Sequence, residues 1–209
     1  MKILLTGGSG LLGSELRKYI HSFDAPGHNQ LDITSRENVD VWCKKNGPYA
    51  LIIHCAAYTD VLKAETEKEQ CTRVNIVGTT NLIYANPDAF FVYISSEYAI
   101  DPVNFYGRTK QLAENIVRKS RNNYLIIRTL FKPNPYPHDV AFFDQYTNGD
   151  YVDVIAPMII AAIYSKEQGI INIGTGRKTM FELARRTNPD VLGNSVKDIG
   201  GVTIPNDYI

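Results

Sequence analysis

Over the first 130 residues, short apolar runs alternate with longer stretches in which apolar positions recur every three or four residues. The first pattern marks buried strands and the second amphipathic helices. Residues 2–5 (KILL) form the first run; they enter Gly7, Gly10 and Gly13, after which Leu12, Leu16 and Ile20 fall one turn apart. Leu31-Asp32-Ile33 leads to Thr34-x-x-Glu37, a capping box opening a helix that stops near Gly47, with Val39, Trp42 and Cys43 on its buried face. Leu51–His54 follows Pro48 as an apolar strand ending in Cys55-Ala56-Ala57, and residues 63–83 read as helical. Phe90–Ile94 is the next strand and ends in Ser95-Ser96. A helix opens at residues 104–110, with Leu112, Ile116 and Val117 on its apolar side, and residues 124–127 form another strand before Arg128-Thr129. Strands alternating with helices predict an α/β fold with a doubly wound parallel sheet.

From residue 131 the texture changes. Pro133, Pro135 and Pro137 mark an irregular connection. Residues 153–163 look helical, 170–173 strand-like, 179–186 helical again, and 188–209 loop-like. These pieces predict a small lobe over the C-terminal edge of the sheet.

A chain of 209 residues can bury one sizeable core. Lys+Arg and Asp+Glu both number 22 and neither forms a block, which argues against a nucleic-acid footprint or a polybasic membrane surface. No apolar run is long enough to cross a bilayer, and Met1-Lys2 leads directly into the first strand, so neither a membrane span nor a signal peptide is expected. Cys43, Cys55 and Cys71 are odd in number and lack CxxC spacing. Reduced thiols in a cytoplasmic protein, with no metal site, are the expectation.

Strand, glycine turn and helix is the context in which Gly7, Gly10 and Gly13 carry chemistry. They allow a tight turn, a close backbone approach by a pyrophosphate, and close packing of the helix on the sheet. Backbone N–H groups and the positive end of the helix dipole then face the phosphates. In a dinucleotide fold the second strand ends within residues 22–29, where an acid at the tip would bind the adenosine 2′-OH. Pro26 to Asn29 holds no acid, and Asp24 comes early. That leans towards NADPH over NADH, with His28 as a phosphate neighbour or a plain loop histidine. Further on, Tyr106 and Lys110 are four apart and share a helix face. A free tyrosine titrates too high for acid–base work at neutrality, and a nearby ammonium favours the phenolate. Ser96 at the end of the preceding strand can polarise a substrate carbonyl, which Tyr106 would then protonate.

The segments MKILLTGGSGLLG, LDIT, HCAAYTDVLKAE, VNIVGTTNLI, ISSEYAID, NFYGRTK and IIRT resemble, in that order, the extended short-chain dehydrogenase/reductases. The similarity is closest to the dTDP-4-dehydrorhamnose reductases, which share much with the regulatory β subunit of methionine adenosyltransferase. The resemblance implies a Rossmann-type NAD(P)-binding domain at 1–130 and a reduced substrate-binding lobe at 131–209, packed as one unit. It implies Ser96, Tyr106 and Lys110 as the catalytic set. Gly7, Gly10, Leu11, Leu12 and Gly13 would hold the cofactor pyrophosphate, Asp32 and Ile33 would lie near the adenine, and Cys55, Ala56, Ala57, Tyr58 and Lys110 would complete the cofactor cleft. Ser96, Glu97, Tyr98 and Tyr106 would meet the substrate. The implied reaction is NAD(P)H-dependent reduction of the 4-keto group of a nucleotide-linked 6-deoxyhexose, as in dTDP-rhamnose biosynthesis. A homodimer is compatible with such a chain.

Two departures stand out. Ser96 and Tyr106 are only ten residues apart, where the family inserts a longer Pro- and Tyr-containing loop, and Leu62 stands where the subfamily tends to have Asp. Two other outcomes stay open beside a reductase. One is an epimerase or dehydratase of the same superfamily, with Glu97 as an extra acid or base; the other is a non-catalytic cofactor-binding regulatory subunit.

Overall fold

The computed structural model describes residues 2–120 and 122–198; Met1 and residues 199–209, the end of the segment read as loop, lie outside the described residues. In chain order the regular elements begin with β1 (Ile3–Thr6), α1 (Leu11–Leu16), α2 (Arg36–Asn46) and β2 (Leu51–His54). Next come α3 (Lys68–Thr72), α4 (Thr79–Ala85), β3 (Phe90–Ile94), α5 (Phe105–Ser120) and β4 (Tyr124–Arg128). The remainder comprises β5 (Phe131–Lys132), β6 (Val140–Phe142), β7 (Tyr146–Thr147), β8 (Asp150–Tyr151), α6 (Val152–Tyr164), β9 (Gly169–Asn172), β10 (Lys178–Thr179), α7 (Met180–Arg185) and β11 (Leu192–Asn194).

The central sheet runs β1-β2-β3-β4-β9, all parallel. Its apolar strands are buried on both faces, as a sheet covered by helices on both sides requires. On one face Leu12, Leu16 and Ile20 meet Ile155, Ile159 and Ile163 of α6. On the other, Val39 and Cys43 of α2, Leu82 and Ile83 of α4, and Ala113 and Val117 of α5 pack on Ile52, Phe91 and Ile126. This is the doubly wound α/β architecture expected from the alternation of strands and helices.

Several local expectations change. The second strand is reduced to one bridge, Leu4 to Asp24, because Ser22 takes a left-handed φ of 61° and Pro26-Gly27 follow at once. Ser35, not Thr34, caps α2, accepting from the Asn38 N–H, while Thr34 donates to Asp32. The helix read over 63–83 is a 3₁₀ turn (Lys63–Glu65), α3, a π-helical turn (Arg73–Gly78) and α4. Leu112 is exposed, and the buried face of α5 carries Lys110 and Glu114 instead. The capping box lies at Thr179 and Glu182, at the start of α7.

The second half divides. Its helix α6 and strand β9, expected in the lobe, lie in the sheet layers, with β9 paired on β4. The lobe proper is residues 131–151 and 178–197, with a small core of Tyr136, Ala141, Tyr151, Met180, Leu183 and Val191. The described part of the segment read as loop holds β11, paired on β6.

Candidate functional site

The C-terminal ends of the sheet strands and the wall formed by residues 129–138 enclose a cleft of about 940 Å³. One end is the glycine turn. Gly7 has φ 70°, and a Cβ there would stand 2.6 Å from the Ala56 nitrogen. A Cβ on Gly13 would meet the Gly7 carbonyl at 2.1 Å. The Gly10 N–H donates to the Gly7 carbonyl at 3.0 Å, which closes the turn just before α1. Gly7, Gly10, Leu11, Leu12, Gly13, Cys55, Ala56 and Ala57 all line the cleft. Beneath them His54 is fully buried, holding the Thr6 and Thr79 hydroxyls at 2.7 and 3.0 Å, and burial pulls its imidazole down to about 3. It is a neutral strut under the turn.

Asp32 and Ile33 line the cleft as well. Asp32 accepts from the Thr34 N–H at 2.9 Å and from its hydroxyl at 2.8 Å. Partial burial pushes its carboxyl up, but these bonds and the charges of His28 and Arg73 hold it below the usual range. Tyr58, expected in the cofactor cleft, is turned away. Its hydroxyl donates to Glu67 at 2.7 Å and its N–H to Asn75 at 2.8 Å, which ties it to the helices behind.

Ser96, Tyr106 and Lys110 all line the same cleft. Ser96 follows β3 and accepts from the Tyr98 N–H at 3.2 Å; its side chain also hydrogen-bonds Tyr106. Burial pushes the Tyr106 phenol well above its ordinary value, only partly offset by Ser96. The ammonium was expected to lower it. Lys110 instead donates to the Ile94 carbonyl at 2.7 Å and sits 4.3 Å over the Tyr93 ring, while burial draws its own pKa down to about 7. Burial therefore governs both groups. One turn further along, buried Glu114 accepts from the Ser95 hydroxyl at 2.5 Å and grips Arg128 with both oxygens, the shortest contact being 2.7 Å. Its charge raises the Lys110 pKa against burial. The sequence carried a sign of this pair, a Glu four residues after Lys110 and an Arg at the end of β4.

Glu97 and Tyr98 part company. Glu97 points into the lobe, accepting from the Thr147 hydroxyl at 2.6 Å and the Asn148 N–H at 3.0 Å, and is absent from the cleft lining. Burial raises its carboxyl in spite of those bonds. Tyr98 does line the cleft; its hydroxyl accepts from Gln145 at 2.9 Å and its ring stands edge-on to Tyr106, with centroids 6.0 Å apart. Several lining residues were not foreseen: Arg73 from the π-helical turn, and Thr129, Leu130, Phe131, Lys132 and His138 from the second wall. Among the described residues no group of three or more His, Cys, Asp or Glu could hold a metal ion, and no helix is long and apolar enough to cross a membrane.

A family profile for the RmlD substrate binding domain matches residues 1–132. A dTDP-4-dehydrorhamnose reductase of Mycolicibacterium smegmatis is 32% identical over 188 residues, covering 78% of this chain and 57% of that protein. Methionine adenosyltransferase 2 subunit beta of Xenopus laevis is 28% identical, over 61% of this chain and 46% of that protein. The solved structure of a Bacillus anthracis dTDP-4-dehydrorhamnose reductase in complex with NADP superposes with a TM-score of 0.85 at 26% identity, covering 100% of this chain and 88% of that one. The chain spans about half the length of the first curated relatives it matches.

Proposed function

The chain belongs to the RmlD substrate-binding-domain family, and from that premise we propose that it is an NAD(P)H-dependent reductase of the 4-keto group of a nucleotide-linked 6-deoxyhexose. The convergence of Ser96, Tyr106 and Lys110 on the cleft that begins at the glycine turn carries this reading. The cradle formed by Gly7, Gly10 and Gly13 suits a dinucleotide, because a Cβ at Gly7 or Gly13 would fill it. When bound there, NAD(P)H supplies the hydride for the ketone carbon.

The protein's own groups do the rest. The Ser96 hydroxyl hydrogen-bonds the ketone oxygen and fixes its position beside Tyr106. Charge develops on that oxygen as the carbonyl is reduced, and Tyr106 donates its phenolic proton to it. A phenol whose pKa burial has raised is fully protonated at neutral pH, so it is set as an acid and not as a base. Lys110, in its protonated form, places positive charge one turn from that phenol and would hold a ribose hydroxyl of the cofactor. His28 and Arg73 beside Asp32 support NADPH over NADH.

The test is absorbance of NADPH, and separately NADH, on addition of a dTDP-4-keto-6-deoxyhexose. Oxidation should depend on the sugar. Tyr106→Phe should lower turnover by about a hundredfold or more while cofactor affinity changes little. Normal turnover in that variant would sink the acid assignment. A non-catalytic regulatory subunit is the second reading, favoured by the similarity to the Xenopus subunit and by the ten-residue spacing of Ser96 and Tyr106. Tight cofactor binding with no oxidation of any ketosugar would select it.

A further inference from the structure

The second wall of the cleft carries two basic side chains that the chemistry above leaves unused. Lys132 lies on β5, which is held against the lobe by its pairing with β8. It is half-buried and lines the cleft, and among the described residues its amine has no ion pair and no hydrogen bond. Burial pulls its pKa down, and no neighbouring carboxylate offsets that. His138 lines the same wall, its ring edge-on to Tyr136 at 5.5 Å between centroids. Burial first, and then the charge of Lys132, push the His138 pKa down, with Asp139 opposing. The single carboxylate among the described residues lining the cleft is Asp32, which stands beside His28 and Arg73 and is already engaged by Thr34.

A partly desolvated ammonium without a counter-ion is unfavourable, and such a group persists where an anion arrives to complete it. The cofactor's own pyrophosphate belongs at the glycine turn and the N-terminus of α1, where backbone N–H groups receive it. A second cationic wall in the same cleft therefore calls for a second phosphate-bearing molecule. We propose that Lys132, assisted by His138, binds the diphosphate of a nucleoside-diphosphate-linked substrate. Phe131 and Pro133, adjacent in the wall, give that diphosphate an apolar surround. This deepens the reductase reading and rests on it.

The experiment is calorimetric titration of the full chain with dTDP, UDP and NADPH, separately, for wild type, Lys132→Met, Lys132→Gln, Lys132→Arg and His138→Gln. Lys132→Met and Lys132→Gln should weaken dTDP or UDP binding by about tenfold or more, as loss of a charge-assisted hydrogen bond predicts, while NADPH affinity changes by about twofold or less. Lys132→Arg should keep most of the affinity, and His138→Gln should lose only a few-fold. Thermal melts separate loss of the site from loss of the fold, and two neutral variants guard against one of them failing to fold. Unchanged dTDP and UDP affinity in the neutral variants overturns the proposal. So does an equal loss of NADPH affinity, which would assign the lysine to a cofactor phosphate, or a wild type that binds NADPH but neither diphosphate. Lys132-dependent dTDP binding without ketosugar-dependent oxidation would instead sink the reductase and leave the subsite standing.

Discussion

Two buried lysines divide the molecule. Lys178, in the lobe, is 7% exposed and Lys110, in the cleft, 2%, so their burial is alike. Their company is not. The Lys178 ammonium donates to the carbonyls of Gly149 and Gly176 at 2.7 and 2.6 Å and to the Thr175 hydroxyl at 3.1 Å. Asp150 lies 4.0 Å away, shared with Arg186. All three protons of that ammonium are spoken for. Lys110 has one carbonyl and the face of one ring, and the nearest carboxylate on its helix, Glu114, is committed to Ser95 and Arg128. Burial lowers the pKa of both, so the difference lies in the partners: a buried cation with every donor matched is a strut, whereas one left short of partners keeps free donors for a visiting molecule. Lys132 belongs with Lys110 in this contrast.

The contrast is open to direct attack. Lys178→Met should destabilise the fold by about 3 to 5 kcal/mol, because it leaves the Gly149 and Gly176 carbonyls without their buried donor and removes one of the two cations beside Asp150; chemical denaturation reads this out. Lys110→Met should do the reverse. It abolishes the proposed reaction but raises stability by about 1 kcal/mol, or about 2 to 4 °C in melting temperature, since no carboxylate loses its only partner. If both variants lose stability equally, the distinction between strut and reagent fails.

A smaller effect follows from titration. The Lys110 pKa falls from 10.5 in the unfolded chain to about 7 in the folded one, so its folding penalty is full below about 7 and fades as pH rises towards 10.5. The melting-point advantage of Lys110→Met over wild type should therefore shrink between pH 7 and 9. An advantage that stays constant across that range would mean the lysine titrates normally. Smallest of all is Glu97→Gln, which keeps an acceptor oxygen for the Asn148 N–H and turns an NH2 towards the Thr147 hydroxyl, which can accept. Turnover should change by about threefold or less, as for a group outside the reacting geometry. A loss as large as that expected for Tyr106→Phe would restore Glu97 as an acid or base.

The half of the site that depends on local pattern was legible in the sequence. Gly7, Gly10 and Gly13 announce their turn by spacing, and Ser96, Tyr106 and Lys110 by a strand end and a helical repeat. What escaped depends on partners distant in the chain. Glu97 and Tyr58 sit inside matching motifs, but Thr147 and Glu67 decide where their side chains point. Lys132 was hidden because β5 has two residues and pairs with β8, and no periodicity can announce so short a strand. The strand at 170–173 was read from its apolar run, but its return to β4 is a matter of topology. Ser35 took the cap from Thr34 because Asp32 competes for the Thr34 hydroxyl.

That return of β9 to β4 also bears on the order in which the molecule is built. Strands β1 to β4 can pair as they leave the ribosome, and Gly169 to Asn172 join β4 last, across about 40 intervening residues that include the first part of the lobe. Closing such a loop costs about 3 kcal/mol of chain entropy if the loop is unstructured. The nascent chain thus has a glycine turn and a Tyr106 helix well before it has an anchored second wall, because the core under that wall needs Met180, Leu183 and Val191, which emerge only after the sheet's last strand.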